Sequence, residues 1–268
     1  MTTNIIMSGA LGKMGREILA NAHADEHVTI VGGTEYSTHP DIGRDLGECL
    51  GYGTIGTLLT SDITTLSCND SVVVDFSSPQ NTVALLDKLA ATSAAIVIGT
   101  TGLTEADTAK IHTFAKDHPV VFSPNMSLGI NLLFYITELV ASRLKNDFDI
   151  EIIEAHHRFK KDAPSGTAKK LGEIVADVIG KSYDDTIVNG RVGITGERTR
   201  TEVGMHAVRG GDIVGDHTVL FAGIGERIEL RHMAHSRSTL ARGALTAAKW
   251  LSAQKKPGLY SMKEVLGF

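Results

Sequence analysis

Ile5-Ile-Met-Ser-Gly9-Ala-Leu-Gly12-Lys-Met-Gly15 decides how the first half of the chain folds. A short apolar run ends in a glycine-rich loop, and Arg16 to Ala22 follows with a helical pattern. A second apolar run, Val28 to Gly32, ends near Glu35, 20 positions beyond Gly15. Strand, glycine loop, helix, strand and acid, in that order, are the parts of a dinucleotide site. The loop and helix N-terminus face a pyrophosphate and the acid accepts from ribose hydroxyls. Gly9, Ala10, Leu11, Gly12, Lys13, Met14 and Glu35 are therefore cofactor-binding candidates. The glycine spacing is G-x-x-G-x-x-G, with Leu11 where a glycine is usual, so the loop alone also reads as a plain glycine-rich turn.

The pattern downstream repeats strand and helix. Val72 to Phe76 and Ala95 to Gly99 are apolar runs of the buried-strand type, and Val120 to Phe122 is a third. Ser77 starts a helix running to about Ala91, and Thr104, with acids in the first turn after it, starts another over Glu105 to Lys116. Residues 36–60 are rich in Gly, Thr and Asp and read as an irregular excursion. Strands alternating with helices imply a Rossmann-like, doubly wound parallel α/β sheet, whose ligands lie beyond the carboxyl ends of its strands. Two further loops fall there, Gly99-Thr100-Thr101 and Ser123-Pro124-Asn125-Met126. Each alone reads equally well as ordinary strand-to-helix turn chemistry.

Leu128 to Leu144 has the pattern of a long helix with Leu132, Ile136, Leu139 and Val140 on one face. From Phe148 the pattern changes. Phe148–Ile153, Thr201–Val208, His217–Phe221 and Arg227–His232 are strand-like, with one helix, Thr167–Ile179, between the first two. Strands this close predict a second, α+β domain built on a mixed open sheet. A last helix, Ser238 to Ala253, carries the sole tryptophan, Trp250.

Within that second half stands Glu154-Ala-His-His-Arg-Phe-Lys-Lys-Asp-Ala-Pro-Ser-Gly-Thr-Ala168. It joins a strand to a helix through a Pro-Ser-Gly-Thr turn. A helix N-terminus has unpartnered N–H groups and a partial positive charge, Gly166 admits a ligand close to the backbone, and Thr167 adds a hydroxyl. Lys160 or Lys161 adds a full charge, and a histidine beside them can exchange a proton near neutral pH. Residue by residue, a plainer account exists: Ser165 or Thr167 as an N-cap, Pro164 as a turn residue and the lysines as a solvated loop. The convergence of charge, proton and backbone features in one place favours a site.

Glu-Ala-His-His-x-x-Lys-x-Asp-Ala-Pro-Ser-Gly-Thr-Ala resembles the signature of the dihydrodipicolinate reductase family, and Met14-Gly15 resembles the end of that family's nucleotide loop. The resemblance covers nearly the whole chain. It implies reduction of 4-hydroxy-tetrahydrodipicolinate, a small dicarboxylate, by NADH or NADPH in lysine and diaminopimelate synthesis. His156 matches the family's proton donor, His157 a substrate-binding histidine, Lys160 a lysine serving both substrate binding and catalysis, and Gly166-Thr167 the carboxylate-binding turn. The Gly99–Thr101 and Ser123–Met126 loops match those that touch the cofactor near its nicotinamide. The resemblance further implies a homotetramer, and a C-terminal segment that returns to the first domain. The expected division is 1–127 plus 236–268 for the dinucleotide and 128–235 for substrate and oligomerisation. Phe159 stands where many members have another histidine. Tyr36 follows Glu35 where some members place an arginine against the 2′-phosphate of NADPH, so NADH is the expected cofactor and NADPH a possible one.

Composition sets the outer bounds. A length of 268 residues, 42% hydrophobic and 21% charged, suits one large or two ordinary globular domains. A net charge of −5 gives no electrostatic basis for binding nucleic acid or an anionic membrane. Cys49 and Cys68 make no disulfide framework and lack metal-site spacing, so no metal is expected, and they suit a reducing compartment. With no visible targeting signal or membrane-length apolar run, the expected location is the cytoplasm. Two other classes share the nucleotide half: another two-domain dehydrogenase, which has no need of the His-His…Ser-Gly-Thr run, and a non-catalytic NAD-dependent sensor, which needs no proton donor.

Overall fold

The computed structural model describes residues 2–236, 238–254 and 256–268. The chain divides into two compact units, one running to Leu128 and resuming at Ser238, the other beginning at Gly129. In the first, the strands are β1 (Thr3–Ser8), β2 (Val28–Thr34), β3 (Leu59–Thr60), β4 (Val72–Asp75), β5 (Ala95–Ile98) and β6 (Pro119–Phe122). Between them lie α1 (Lys13–His23), α2 (Leu46–Leu50), α3 (Pro79–Leu89) and α4 (Glu105–Phe114). The helix α5 (Leu128–Leu144) leads into the second unit, which holds β7 (Asp149–His156), α6 (Gly166–Ile179), α7 (Tyr183–Thr186), β8 (Ile187–Asn189), β9 (Val203–Arg209), β10 (Gly215–Ala222) and β11 (Arg227–Ala234). The chain then adds α8 (Ser238–Ala253), β12 (Gly258–Tyr260) and α9 (Met262–Leu266) to the first unit.

The first unit is a seven-stranded sheet in the order β12-β6-β5-β4-β1-β2-β3, every pairing parallel. The order reverses at β1, which lies between β2 and β4, so the loop leaving β1 sits at the topological switch point. Strand alternation sorts the apolar residues to two faces. Ile5, Met7, Val74 and Val97 pack with Ile18 and Leu19 of α1 and Ala244 and Leu251 of α8. Ile6, Val73, Ile96 and Ile98 pack with Leu85 and Leu89 of α3 and Ile111 of α4. Coverage on both faces is why β4 and β5 are uninterrupted apolar runs. The helices start where the sequence marks them: Ser78 caps α3, and Thr104 with Asp107 forms a full capping box on α4.

The second unit is a five-stranded mixed sheet, β11-β10-β7-β9-β8, antiparallel on the β10 side of β7 and parallel on the β9 side. Ile150, Ile152, Met205, Val219 and Phe221 point from it onto Leu171 and Val175 of α6 and Ile130 and Leu133 of α5. On the other face Glu151 gathers Arg191 (Nη1 to Oε2, 2.9 Å), Arg198 (Nε to Oε1, 3.1 Å) and His206 (Nε2 to Oε2, 2.7 Å). Burial pushes its carboxyl up, but these hydrogen bonds outweigh burial and leave it at about 2. Arg198 also bonds the Ile150 and Glu202 carbonyls, at 3.0 and 2.6 Å. These contacts tie residues 190–202 to the sheet.

Two expectations need correction, and one strand went unread. Residues 36–60 are not wholly irregular: they contain α2, capped by Asp45, and β3, which extends the sheet beyond β2. Both are too short for periodicity to register. The buried face of α5 is Ile130, Leu133, Thr137 and Ala141, whereas Leu132 and Leu139 are 44% and 47% exposed. The helix is apolar around most of its circumference, so pattern alone picks no single stripe. Lastly, β12 forms the sheet edge beside β6, from a three-residue run that carries no strand signal. Among the described residues, no helix is long and apolar enough to cross a membrane.

Gly243 of α8 is where backbone meets backbone. A Cβ there would lie 1.7 Å from the Met126 carbonyl oxygen. Gly243→Ala should therefore destabilise the protein by about 1–3 kcal/mol, the usual cost of overpacking, with backbone as the unyielding partner. Gly166→Ala, where a Cβ meets nothing within 4 Å, should leave the urea midpoint essentially unchanged. Equal midpoints for Gly243→Ala and the parent would refute the packing account.

Candidate active site

In the first unit the glycine loop is built by close backbone approach. The N–H groups of Gly9 and Ala10 both donate to the Thr34 carbonyl, at 3.0 and 3.1 Å, which draws the loop across the ends of β1 and β2. Gly9 has φ +74°, a conformation that favours glycine. Gly15 lets α1 press onto this loop: a Cβ there would lie 2.1 Å from the Gly9 carbonyl oxygen. Gly12 is the N-cap and offers no capping side chain. Lys13 is exposed, Met14 is partly buried, and Ala10 and Leu11 are buried beneath the loop.

Glu35 stands where the spacing puts it. Its Oε1 accepts from the Leu11 N–H at 2.8 Å, tying the acid to the loop. Gly9, Glu35 and Tyr36 line a cavity of about 210 Å³ together with Ser61, Ser78 and Lys88. Ile63, Ala84 and Leu85 give this cavity an apolar side. It has the mixed lining that an adenosine group requires.

The Gly99 loop is set by a buried polar network. Asp75, fully buried, accepts from the hydroxyls of Ser77 (2.6 Å), Thr82 and Thr100 (3.0 Å). Thr100 Oγ1 in turn accepts from the Ser77 N–H at 3.2 Å, and Asn81 donates to Ser8 Oγ at 3.0 Å. Gly99 packs on the Phe76 ring, where a Cβ would come within 2.2 Å. Thr100 therefore spends its hydroxyl inside the protein, while Thr101 is exposed. In the Ser123–Met126 loop Ser123 Oγ donates to the Asn125 carbonyl at 2.8 Å and Asn125 Oδ1 accepts from the Ser127 N–H at 2.9 Å. Pro124 is exposed and Met126 buried.

In the second unit the His-His stretch is organised by Glu154, which is fully buried. Arg209 forks onto it, each Nη reaching one carboxylate oxygen at 2.8 Å. His156 Nδ1 lies 2.6 Å from Oε2, and the Ser165 N–H donates to Oε1 at 3.1 Å. Burial pushes the Glu154 carboxyl up, but the Arg209 and His156 hydrogen bonds bring it below the ordinary carboxylate range. Because an ionised carboxylate only accepts, His156 carries its proton on Nδ1 toward Glu154. Gly215 faces the other ring nitrogen, where a Cβ would lie 3.0 Å from Nε2.

The same carboxylate holds the start of α6. Ser165 is the N-cap, its Oγ accepting from the Ala168 N–H at 3.2 Å. Gly166 opens the helix with clear space beside it, and Thr167 follows. Lys160 Nζ pairs with Asp162 at 2.9 Å, and Asp162 passes its carbonyl to Arg209 Nη2 at 2.6 Å. His156, Lys160 and the N-terminus of α6 are thus brought around Glu154. His157 lies just beyond β7; its Nδ1 is buried and has no hydrogen-bond partner among the described residues. Phe159 is 78% exposed, with the Arg158 guanidinium 6.0 Å above its ring.

The sequence reading gave no role to Arg209, His217 or His232, nor to Glu154 beyond opening the stretch. His217 is buried on β10 opposite Glu154 and shares a 3.0 Å hydrogen bond with Ser165 Oγ. Burial, and then neighbouring His156, hold His217 down at about 4, so it is neutral. His232 sits opposite His217 on β11, and burial lowers it too. The available signal was an imidazole at inward positions of alternating strands, in register with Val219 and Phe221.

Comparison with known proteins agrees over the full length. The family model described as dihydrodipicolinate reductase, N-terminus, matches residues 3–126, and that described as dihydrodipicolinate reductase, C-terminus, matches residues 129–266. The chain is 46% identical over 263 residues to 4-hydroxy-tetrahydrodipicolinate reductase of Geotalea uraniireducens (strain Rf4), covering 98% of each. It is 47% identical over 266 residues to the reductase of the same name from Hahella chejuensis (strain KCTC 2396), covering 99% of each. Among solved structures it shares its fold with a dipicolinate-bound dihydrodipicolinate reductase from Paenisporosarcina sp. TG-14, at TM-score 0.78 and 23% identity over 97% of this chain and 98% of that one.

The neutral His217 has a consequence for stability. Its folded value of about 4 lies below the ordinary 6.5, so the unfolded chain binds its proton first as pH falls. Stability is intact above pH 6.5 and is lost progressively down to pH 4. The loss from this residue should reach about 2 kcal/mol at pH 5, at ~1.4 kcal/mol per pH unit. Glu151 adds its own loss only at lower pH, between 4.5 and about 2. Urea unfolding between pH 7 and pH 5 should thus be flatter in His217→Gln, which keeps a partner for Ser165 but cannot titrate. Parallel curves for the two proteins would contradict this.

Proposed function

The chain belongs to the dihydrodipicolinate reductase family, and from that premise we propose that it reduces 4-hydroxy-tetrahydrodipicolinate to tetrahydrodipicolinate, with loss of water, in lysine and diaminopimelate biosynthesis. The observation that carries the proposal is the gathering, around Glu154, of an oriented histidine, a lysine and a helix N-terminus. A proton donor and an anion clamp in one place suit a cyclic dicarboxylate that must gain a proton as it is reduced.

His156 is the proton donor in this reading. Lys160, Gly166 and Thr167 take the substrate's carboxylates, the lysine by charge and the turn by backbone and hydroxyl groups. His157, whose buried Nδ1 has no partner among the described residues, turns to the same substrate. The residues of the first unit fit a nicotinamide dinucleotide: the pressed glycine loop suits a pyrophosphate, and the Glu35 cavity an adenosine. Gly9, Ala10, Leu11, Gly12, Lys13 and Met14 would hold the phosphates and Glu35 the ribose. Gly99, Thr100, Thr101, Ser123, Pro124, Asn125 and Met126 would hold the nicotinamide end, Thr100 through its backbone. When bound, the reduced cofactor supplies the hydride.

The outer face of the second sheet exposes Ile153, Val208 and Met233, which supports assembly with further copies as a homotetramer. Free Cys49 and Cys68 support a reducing, cytoplasmic setting.

Oxidation of NADH in a single turnover with the dicarboxylate tests the activity. His156→Gln should lower kcat by roughly a hundredfold or more, the scale of a lost general acid. Near-normal kcat across the pH range would remove His156 from that role, and binding of both ligands by the parent without oxidation would make the protein a sensor.

For cofactor choice, we propose NADH over NADPH. Glu35 repels a 2′-phosphate, and Tyr36 brings no charge to offset it. Three of the nearby cations are engaged: Arg44 pairs with Asp41, Arg16 bonds the Leu11 and Cys49 carbonyls, and Lys88 pairs with Asp62 at 3.0 Å. One missing charged contact, worth about 1.5–3 kcal/mol, corresponds to a preference of about ten- to a hundredfold in kcat/KM. Tyr36→Arg should narrow it, measured at moderate ionic strength so that distant lysines are screened. Equal use of both cofactors by the parent would reverse the assignment.

A further inference from the structure

We infer that Glu154 is the positioning residue for the proton donor: its carboxylate fixes the ring and tautomer of His156 and, with Arg209 as counter-ion, anchors the anion-binding end of α6 to the same point. The inference rests on the reading of His156 as donor given above.

Glu154 is fully buried, yet it has two oxygens and four partners: two Arg209 nitrogens, His156 Nδ1 and the Ser165 N–H. A carboxylate in that position is tolerated only when paired and hydrogen-bonded, and Arg209 meets the requirement with a planar fork. Arg209 lies opposite His156 in the β7–β9 register, so the counter-ion arrives from the neighbouring strand. With Glu154 ionised, the Nδ1 contact can only be a donation from His156, which leaves Nε2 as the working nitrogen. Gly215, opposite on β10, removes the one side chain that would cover it. The other charged or titratable groups around the ring are His217, in edge contact at 5.2 Å between centroids, and the Lys160–Asp162 pair of the following loop, with His232 behind His217.

Geometry links proton delivery to substrate grip. The same carboxylate that orients His156 receives the N–H of Ser165, the residue that caps α6 and immediately precedes Gly166 and Thr167. A shift of Glu154 would move the donor and the carboxylate-binding turn together. Mere packing does not require this arrangement: an apolar residue of similar volume would fill the site without a buried charge.

The test uses the full-length protein with histidine-selective 15N labelling. In the parent, neutral His156 should show a protonated Nδ1 and a bare Nε2; a neutral form protonated on Nε2 overturns the inference before any variant is made. In Glu154→Gln the His156 signals should lose that tautomer preference. The descending limb of kcat/KM against pH should move down by about one unit, the scale of losing an adjacent opposite charge. At neutral pH kcat should fall about tenfold or more and recover as pH is lowered, while NADH binding is unchanged. Glu154→Asp should restore part of the limb's position. A fall in kcat that is equal at every pH, with His156 unaltered in tautomer, overturns the inference and leaves Glu154 a packing residue. A His156 that changes as expected while the limb stays fixed overturns instead the reading of His156 as donor.

Discussion

A carboxylate with no solvent exposure has to be neutralised inside the protein, and Glu154 meets that demand with one arginine, one histidine and one backbone N–H. The consequences extend through the second unit. Arg209 must end β9 beside β7, which fixes the parallel pairing of the two strands at its far end. Ser165 must present its N–H to β7, which fixes where α6 begins. His217, opposite Glu154 on β10, must remain neutral beside this network, and burial keeps it so. Removing one partner would leave a buried charge uncompensated, a loss of several kcal/mol in typical proteins.

The first unit rests on a different constraint, the close approach of backbone to backbone. Gly15 lets α1 reach the loop, and Gly243 lets α8 reach Met126. Gly99 makes a comparable close approach to a side chain, the Phe76 ring. Side chains at these points would push apart loops that a dinucleotide needs held within hydrogen-bond reach. The hydroxyls around Asp75 then lock the ends of β4, β5 and α3 into one rigid edge.

Much of this was legible from residues alone because its physics is local. The capping box on α4, the strand–loop–helix run through Gly15 and the distance to Glu35 each depend on neighbours in sequence. The His-His stretch was legible as a candidate site for the same reason: charge, proton and turn chemistry lie within fifteen residues. What could not be read depends on pairing at a distance. Arg209 is 55 positions from Glu154, and His217 is 52 from Ser165. Nothing in the run Val203–Arg209 distinguishes a buried counter-ion from a solvated arginine at a strand end. The face of α5 failed differently, since a helix apolar on most sides needs its neighbours to choose the buried stripe. Thr100 shows a third kind of limit: its position in a loop at the carboxyl end of a strand was readable, but not the inward turn of its hydroxyl to Asp75.

Charge balance around Glu154 shows how such a site can take a dianion. Glu154 and Arg209 cancel, and Lys160 and Asp162 cancel, so with His156 neutral the cluster carries no net charge. The two pairs differ in cost. Glu154 is buried and bidentate, so its arginine is not available to a ligand. Asp162 is 63% exposed, and an exposed ion pair is worth only about 0–1 kcal/mol. A substrate carboxylate can therefore displace Asp162 from Lys160 at little cost, with Asp162 returning to water. The exposed Lys160–Asp162 pair is thus the one open to exchange with a ligand, while the buried Glu154–Arg209 pair stays in place.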